Sequence, residues 1–247
     1  MAEKTADQFS KATGQSEKRM QDFAQHLPAK ESLPDNIKSF LSSIEGLPRA
    51  EQAALTNDFV NGYLKYDLPP IDQDAYRTFE ELLQNPVGDC DDYSIFSASL
   101  LVYVGTPLQD IIFIGGFVQY ELGGHTIPAL HAFASLKGDN GKLYVLDQNL
   151  SGAPEIKPKN FPIEFKANST SGPTVNVSIQ DTFYVFDATG HVLKNRAPSE
   201  EVMALGAKSY ESIRGRQETL KSNTPTLLDH TQEKASVNMP SPYSPTS

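Results

Sequence analysis

Apolar residues recur every three or four positions in the first third of the chain and every second position beyond its middle. Ile37, Phe40, Leu41 and Ile44 keep i, i+3, i+4, i+7 spacing, and Asp35 stands where a helix N-cap is wanted. A second amphipathic helix is predicted from Arg49 to Leu64, with Leu55, Phe59, Val60 and Tyr63 turned inward. Pro28, Pro34 and Pro48 punctuate these pieces. The double proline in YDLPPIDQDAY (66–76) predicts a loop, and Thr78 to Leu83 reads as a short helical turn. Helical spacing returns at Ile95, Phe96, Leu100 and Leu101, and Gly105-Thr106-Pro107 stops it.

The period then falls to two. IIFIGGFVQY (111–120), ALHAFASL (129–136), KLYVLDQ (142–148) and DTFYVFD (181–187) are strand candidates, and GDNG (138–141) is a hairpin turn. The polar stretch between the last two strands reads as looped, and a helix is expected over 199–215. Helices first, then a helix headed by a cysteine, then an antiparallel meander define an α+β layout. Residues 1–30 read as a polar arm, weakly helical or disordered. Residues 31–215 read as the folded domain, and 216–247, ending NMPSPYSPTS, as a disordered tail.

Composition agrees with a core diluted by polar ends: of 247 residues 38% are hydrophobic, and the mean hydropathy is −0.40. A net charge of −10 argues against nucleic acid as a partner, since phosphate binding needs clustered Lys and Arg. No apolar run reaches the roughly 18 residues of a spanning helix. The first residues carry no apolar signal core. That leaves three readings of compartment: cytoplasmic, exported by a non-classical route, or a mature form whose signal was removed. A single cysteine excludes an internal disulfide.

That cysteine, Cys90, sits in NPVGDCDDYSI beside Asp89, Asp91 and Asp92. A thiol does chemistry as thiolate, and neighbouring negative charge disfavours that form. Either Cys90 is an inert core residue or something nearby reverses the electrostatics. Its place at a helix start supplies free N–H groups and the positive end of the helix dipole. A base is also needed. Of the five histidines, His131 alone lies inside a predicted strand, between small Ala129 and Ala132, whereas His26, His125, His191 and His230 fall in ends, loops or turns. Ordinary hairpin register about GDNG makes partners sum to roughly 279, which sets His131 within a residue or two of Asp147 on the next strand. Asp147 would then orient the imidazole, as the acid of a triad does.

GDCDDYSIF, followed by LHAFASL and YVLDQNL strands, resembles the transglutaminase-like cysteine proteinases of bacteria. Among these are periplasmic proteases that cut biofilm adhesins, with papain-like folds as more distant kin. The resemblance covers roughly residues 50–150. It implies a papain-like or transglutaminase-like core: N-terminal helices, and a catalytic-cysteine helix packed on an antiparallel sheet. It also implies a Cys90, His131 and Asp147 triad, with Asn149 close behind. Val60-Asn61 is similar to a family Val-Asn, which makes Asn61 an oxyanion donor, and Tyr76 to Leu82 resembles the family segment before the motif. Ser94 and Asp91 replace the usual Ala and Glu, and the chain has no Trp. Some relatives bind calcium through acids flanking the cysteine, and Asp89, Asp91 and Asp92 are the matching candidates. The alternative is that these acids simply cap the helix.

The expected function is a thiol hydrolase acting on protein substrates, first of all a cysteine protease, with no cofactor required for the chemistry and Ca²⁺ as the candidate ion. The same machinery deamidates or cross-links protein glutamine. A non-catalytic interaction module that keeps the fold is the third reading.

Overall fold

The computed structural model describes residues 18, 20–69, 77–122, 125–138, 141–157, 163–170, 174–195 and 199–223. Helix α1 (Asp35–Ile44) buries Ile37, Leu41 and Ile44, the periodic face read from the sequence, with Pro34 at the N-cap and Asp35 in the first turn. Phe40 stacks on Phe59 of helix α2 (Arg49–Tyr63) at 3.9 Å.

Helix α2 departs from its amphipathic reading. Gln52, Ala53, Thr56, Asn57 and Val60 are buried, while Leu55 is 44% exposed. The buried face meets the backbone of residues 147–152, whose carbonyl and N–H groups take side-chain partners from it. Polar residues serve there and leucine would not.

Strand β1 (Lys65–Tyr66) runs parallel to β2 (Val87–Gly88), which fixes the chain just before the cysteine. Helix α3 (Phe79–Gln84) opens with a capping box between Thr78 and Glu81. Helix α4 (Cys90–Tyr103) is buried on nearly all sides from Asp91 to Leu101, which makes it the central helix of the molecule.

Strands β3 (Ile111–Leu122), β4 (His125–Lys137) and β5 (Leu143–Leu146) form the expected antiparallel meander. His125, read as a loop residue, instead opens β4. The stretch read as looped carries β6 (Leu150–Ser151), β7 (Glu155–Ile156), β8 (Ile163–Ser169) and the first half of β9 (Thr174–Asp187). In β8 and β9 buried Ile163, Ala167, Val175, Val177 and Ile179 alternate with polar neighbours, as half-buried strands do. Strand β10 (Val192–Asn195) lies beside β9. The sheet order is β6-β8-β9-β3-β4-β5-β7.

One cluster joins Ile95, Ala98 and Leu101 of α4 to Phe113, Ala134 and Leu136 of the sheet. A second gathers Ile114, Val118, Phe133 and Val145 with Val177 and Ile179 of β9. Met20 and Phe23 are buried in the first cluster, so the segment read as a polar arm contributes core from Met20 onward. Helix α5 (Glu200–Asn223) runs past the expected stop at 215. It packs on β4, where the Ser209 hydroxyl donates to the Pro128 carbonyl. These helices and this antiparallel sheet make the chain α+β. Among the described residues no helix is long and apolar enough to cross a membrane. Residues 1–17, 70–76, 139–140 and 224–247, which include parts of the expected arm, loop, turn and tail, lie outside the described residues.

Candidate active site

Cys90 begins α4, with Asp89 at its N-cap. Asp89 and Asp92 form a capping box, in which Asp92 Oδ2 accepts from the Asp89 N–H at 3.3 Å. Gly88 makes that approach possible, because a Cβ there would stand 2.5 Å from the Asp92 Cβ. The other Asp92 oxygen, Oδ1, accepts from the Arg77 N–H at 3.3 Å. Burial first, and the nearby Asp91 charge second, push the Asp92 carboxyl up to about 8. One oxygen each of Asp89 and Asp91 and the Cys90 sulfur lie within 4.8 Å of one another.

His131 lies on β4 opposite Gly116. A Cβ at Gly116 would meet the Asp181 carbonyl at 2.2 Å, so only glycine admits the close passage of β9 beside the histidine's partner. Asp147 follows the last residue of β5. The β4–β5 pairs Ala134–Leu146 and Leu136–Tyr144 stand one residue from the register expected from the turn. His131 Nε2 is 3.1 Å from Asp147 Oδ2, with the two side chains 4% and 3% exposed. The ring N–H is angled off that oxygen, so this is a close charge contact and not a linear hydrogen bond.

Two further donors hold the carboxylate. The Tyr120 hydroxyl reaches Oδ2 at 2.8 Å, and the Asn149 N–H reaches Oδ1 at 2.8 Å. Burial alone would push the Asp147 carboxyl up. The His131 charge, with hydrogen bonds from Asn149 and Tyr120, outweighs it and holds the group below its ordinary value. Tyr120 is raised well above the usual phenol range, by burial first and by Asp147 next, so it stays a neutral donor. The Cys90 charge also acts on Tyr120, as it does on Tyr66. The Tyr120 ring meets His131 edge-on with centroids 6.0 Å apart.

The structure thus brings His131 and Asp147 into contact and sets Cys90 at the N-terminus of α4. The Asn61 amide nitrogen donates to the Leu150 carbonyl at 2.9 Å and reaches the Asp147 carbonyl at 3.5 Å, so the amide faces the turn that carries Asp147. Of the other histidines, His191 uses its backbone N–H on Asp187, and His26 closes a 3₁₀ turn. His230 lies outside the described residues.

Sequence reasoning missed Tyr120 and Asn57. The signal for Asn57 was present: Asn57 and Asn61, four apart, put two amides on one helix face. Tyr120 ends a strand that reads as core, and nothing in the pattern separates it from a packing residue.

No family model matches the chain, and no curated protein sequence matches it. Among solved structures, the α+β fold is similar to Legionella pneumophila LapG at 19% identity and a TM-score of 0.45, covering 81% of this chain and 96% of that one. Calcium-bound and EGTA-treated forms of LapG give TM-scores of 0.45 at 19% and 20% identity. The functional reading therefore rests on the residues of this chain.

Proposed function

We propose that the protein is a thiol hydrolase of protein substrates, most simply a cysteine protease, with Cys90 as nucleophile, His131 as base and Asp147 as orienting acid. The observation that carries this reading is the buried contact between His131 Nε2 and Asp147 Oδ2. A carboxylate fixed by the Tyr120 hydroxyl and the Asn149 N–H, with the ring against it, is built to hold that ring in one orientation. With Nε2 against the acid, Nδ1 is the nitrogen that serves the thiol.

Nδ1 takes the Cys90 proton, and the sulfur forms a bond to the scissile carbonyl carbon. The carbonyl oxygen becomes an oxyanion, to which N–H groups at the start of α4 can donate. The tetrahedral intermediate collapses, the C–N bond breaks, and His131 returns the proton to the departing amine. Water then attacks the thioester while His131 takes its proton. The C–S bond breaks, the acid product leaves, and the proton returns to sulfur.

A divalent cation suits part of the acidic cluster. Asp89 and Asp91 offer hard oxygen ligands beside the thiol, whereas the Asp92 oxygens are on backbone N–H groups and sulfur is a poor calcium ligand. Bound there, Ca²⁺ would offset negative charge next to Cys90.

The test is cleavage of a peptide library derived from unfolded proteins, read by mass spectrometry as new peptide termini. The wild-type chain should generate them, and Cys90→Ala and His131→Ala should not. Identical termini from the wild-type and Cys90→Ala proteins would defeat the reading.

A further inference from the structure

Three hydrogen bonds tie one buried side chain of helix α2 to both ends of the turn that carries Asp147. Asn57 is 2% exposed. Its Oδ1 accepts from the Asp147 N–H at 2.7 Å, and its Nδ2 donates to the carbonyls of Leu150 at 2.7 Å and Gly152 at 2.6 Å. The β-ladder ends at Leu146, so the Asp147 N–H has left the sheet and takes Asn57 as its partner. The neighbouring residues on the same helix reinforce the clamp. Asp58 Oδ1 accepts from the Gly152 N–H at 2.7 Å, and Asn61 donates to Leu150.

We infer that Asn57 is a positioning residue: it fixes the backbone of Asp147 so that the carboxylate meets His131. The reason lies in the geometry of the turn. The side-chain contacts of Asp147 determine how it binds His131, but its Cα is placed by what holds residues 147–152. Among the described residues Asn57 alone bonds positions 147, 150 and 152 together, while Asn61 reaches the carbonyls of 147 and 150. Without it, two carbonyls and one N–H in a buried turn lose a partner, and the turn relaxes toward water. A displacement of about 1 Å is enough to cost a site much of its rate. The same demand explains why α2 buries a polar face and leaves Leu55 outside.

The catalytic half of this inference rests on the proposed triad, so the experiment reads the clamp and the triad separately. Carbon-13 NMR of the Asp147 carboxyl reports the clamp. In Asn57→Ala its titration should move up, as the His131 charge ceases to oppose burial. Gln52→Ala, which removes a buried bond from the same helix to the Ile44 carbonyl, controls for lost stability and should leave that titration in place. Alkylation of Cys90 by iodoacetamide against pH reports the triad. Asn57→Ala should slow alkylation near pH 6 about tenfold, and in an Asp147→Ala background it should slow it no further. An unmoved Asp147 titration in a folded Asn57→Ala protein overturns the inference, and so do additive rate losses with Asp147→Ala. If Asn57→Ala moves the titration while His131→Ala leaves alkylation unchanged, the clamp stands and the triad falls.

Discussion

His131 Nε2 stands 3.1 Å from Asp147 Oδ2, with the tyrosine at position 120 donating to the same oxygen at 2.8 Å. Asp147→Asn keeps the shape and removes the charge that opposes a protonated imidazole. In a thiol hydrolase that substitution lowers kcat by on the order of 10³–10⁴ while KM changes little, because the loss falls on the transition state. Steady-state cleavage of a peptide substrate measures both constants. A kcat within tenfold of wild type would show that Asp147 does not serve His131.

Tyr120→Phe removes one donor from a wholly buried carboxylate and leaves the ring contact with His131 intact. Loss of that bond to a buried charge destabilises the fold by about 1–3 kcal/mol, seen as a lower denaturant midpoint. The rate should fall less than tenfold, since His131 still opposes the acid. A Phe variant equal to wild type in both respects would make the tyrosine a packing residue only.

The placement of the candidate residues on their elements was legible in the sequence. Cys90 announced itself by a helix start, His131 by a strand, and Asp147 by a hairpin whose register was one residue out. Helix α1 followed its apolar period because its partners are apolar. Helix α2 did not, because it packs on a turn, and a turn presents carbonyls and N–H groups that only polar side chains can satisfy. Periodicity counts apolar residues, so it turned Leu55 inward and passed over Asn57. The strands at 163–169 and 174–180 were hidden by their polar alternate positions, which read as loop until a second sheet face covers the rest. Asn61 was assigned to an oxyanion from sequence likeness, and only the placement of the 147–150 turn shows where its amide goes.

Asp147 also predicts an acid limb of stability. Its carboxyl is held below its ordinary value in the fold and returns to about 3.9 when the chain unfolds. The stabilisation is therefore present above the unfolded value and is lost as pH falls through the lower folded one. The melting temperature gap between wild type and Asp147→Asn should be widest near pH 6 and close steadily below about pH 4. A gap that is constant with pH would mean that the two forms of the carboxyl are bound alike.

Asp89 and Asp91 are the two acids whose oxygens lie with the Cys90 sulfur, and they carry the prediction for a cation. If they hold Ca²⁺, a concentration 100 times the dissociation constant stabilises the fold by about 2.7 kcal/mol. For a chain of this length that is about 5–10 °C in melting temperature, reversed by EGTA. Asp91→Asn should abolish the response, since it removes one of the two hard ligands. Asp92→Asn should retain it, because both Asp92 oxygens are occupied by the Asp89 and Arg77 N–H groups. That contrast separates a bound ion from simple helix capping: capping alone would leave the melting temperature indifferent to calcium and to EGTA, and would make Asp92, the capping-box partner, the more costly acid to lose.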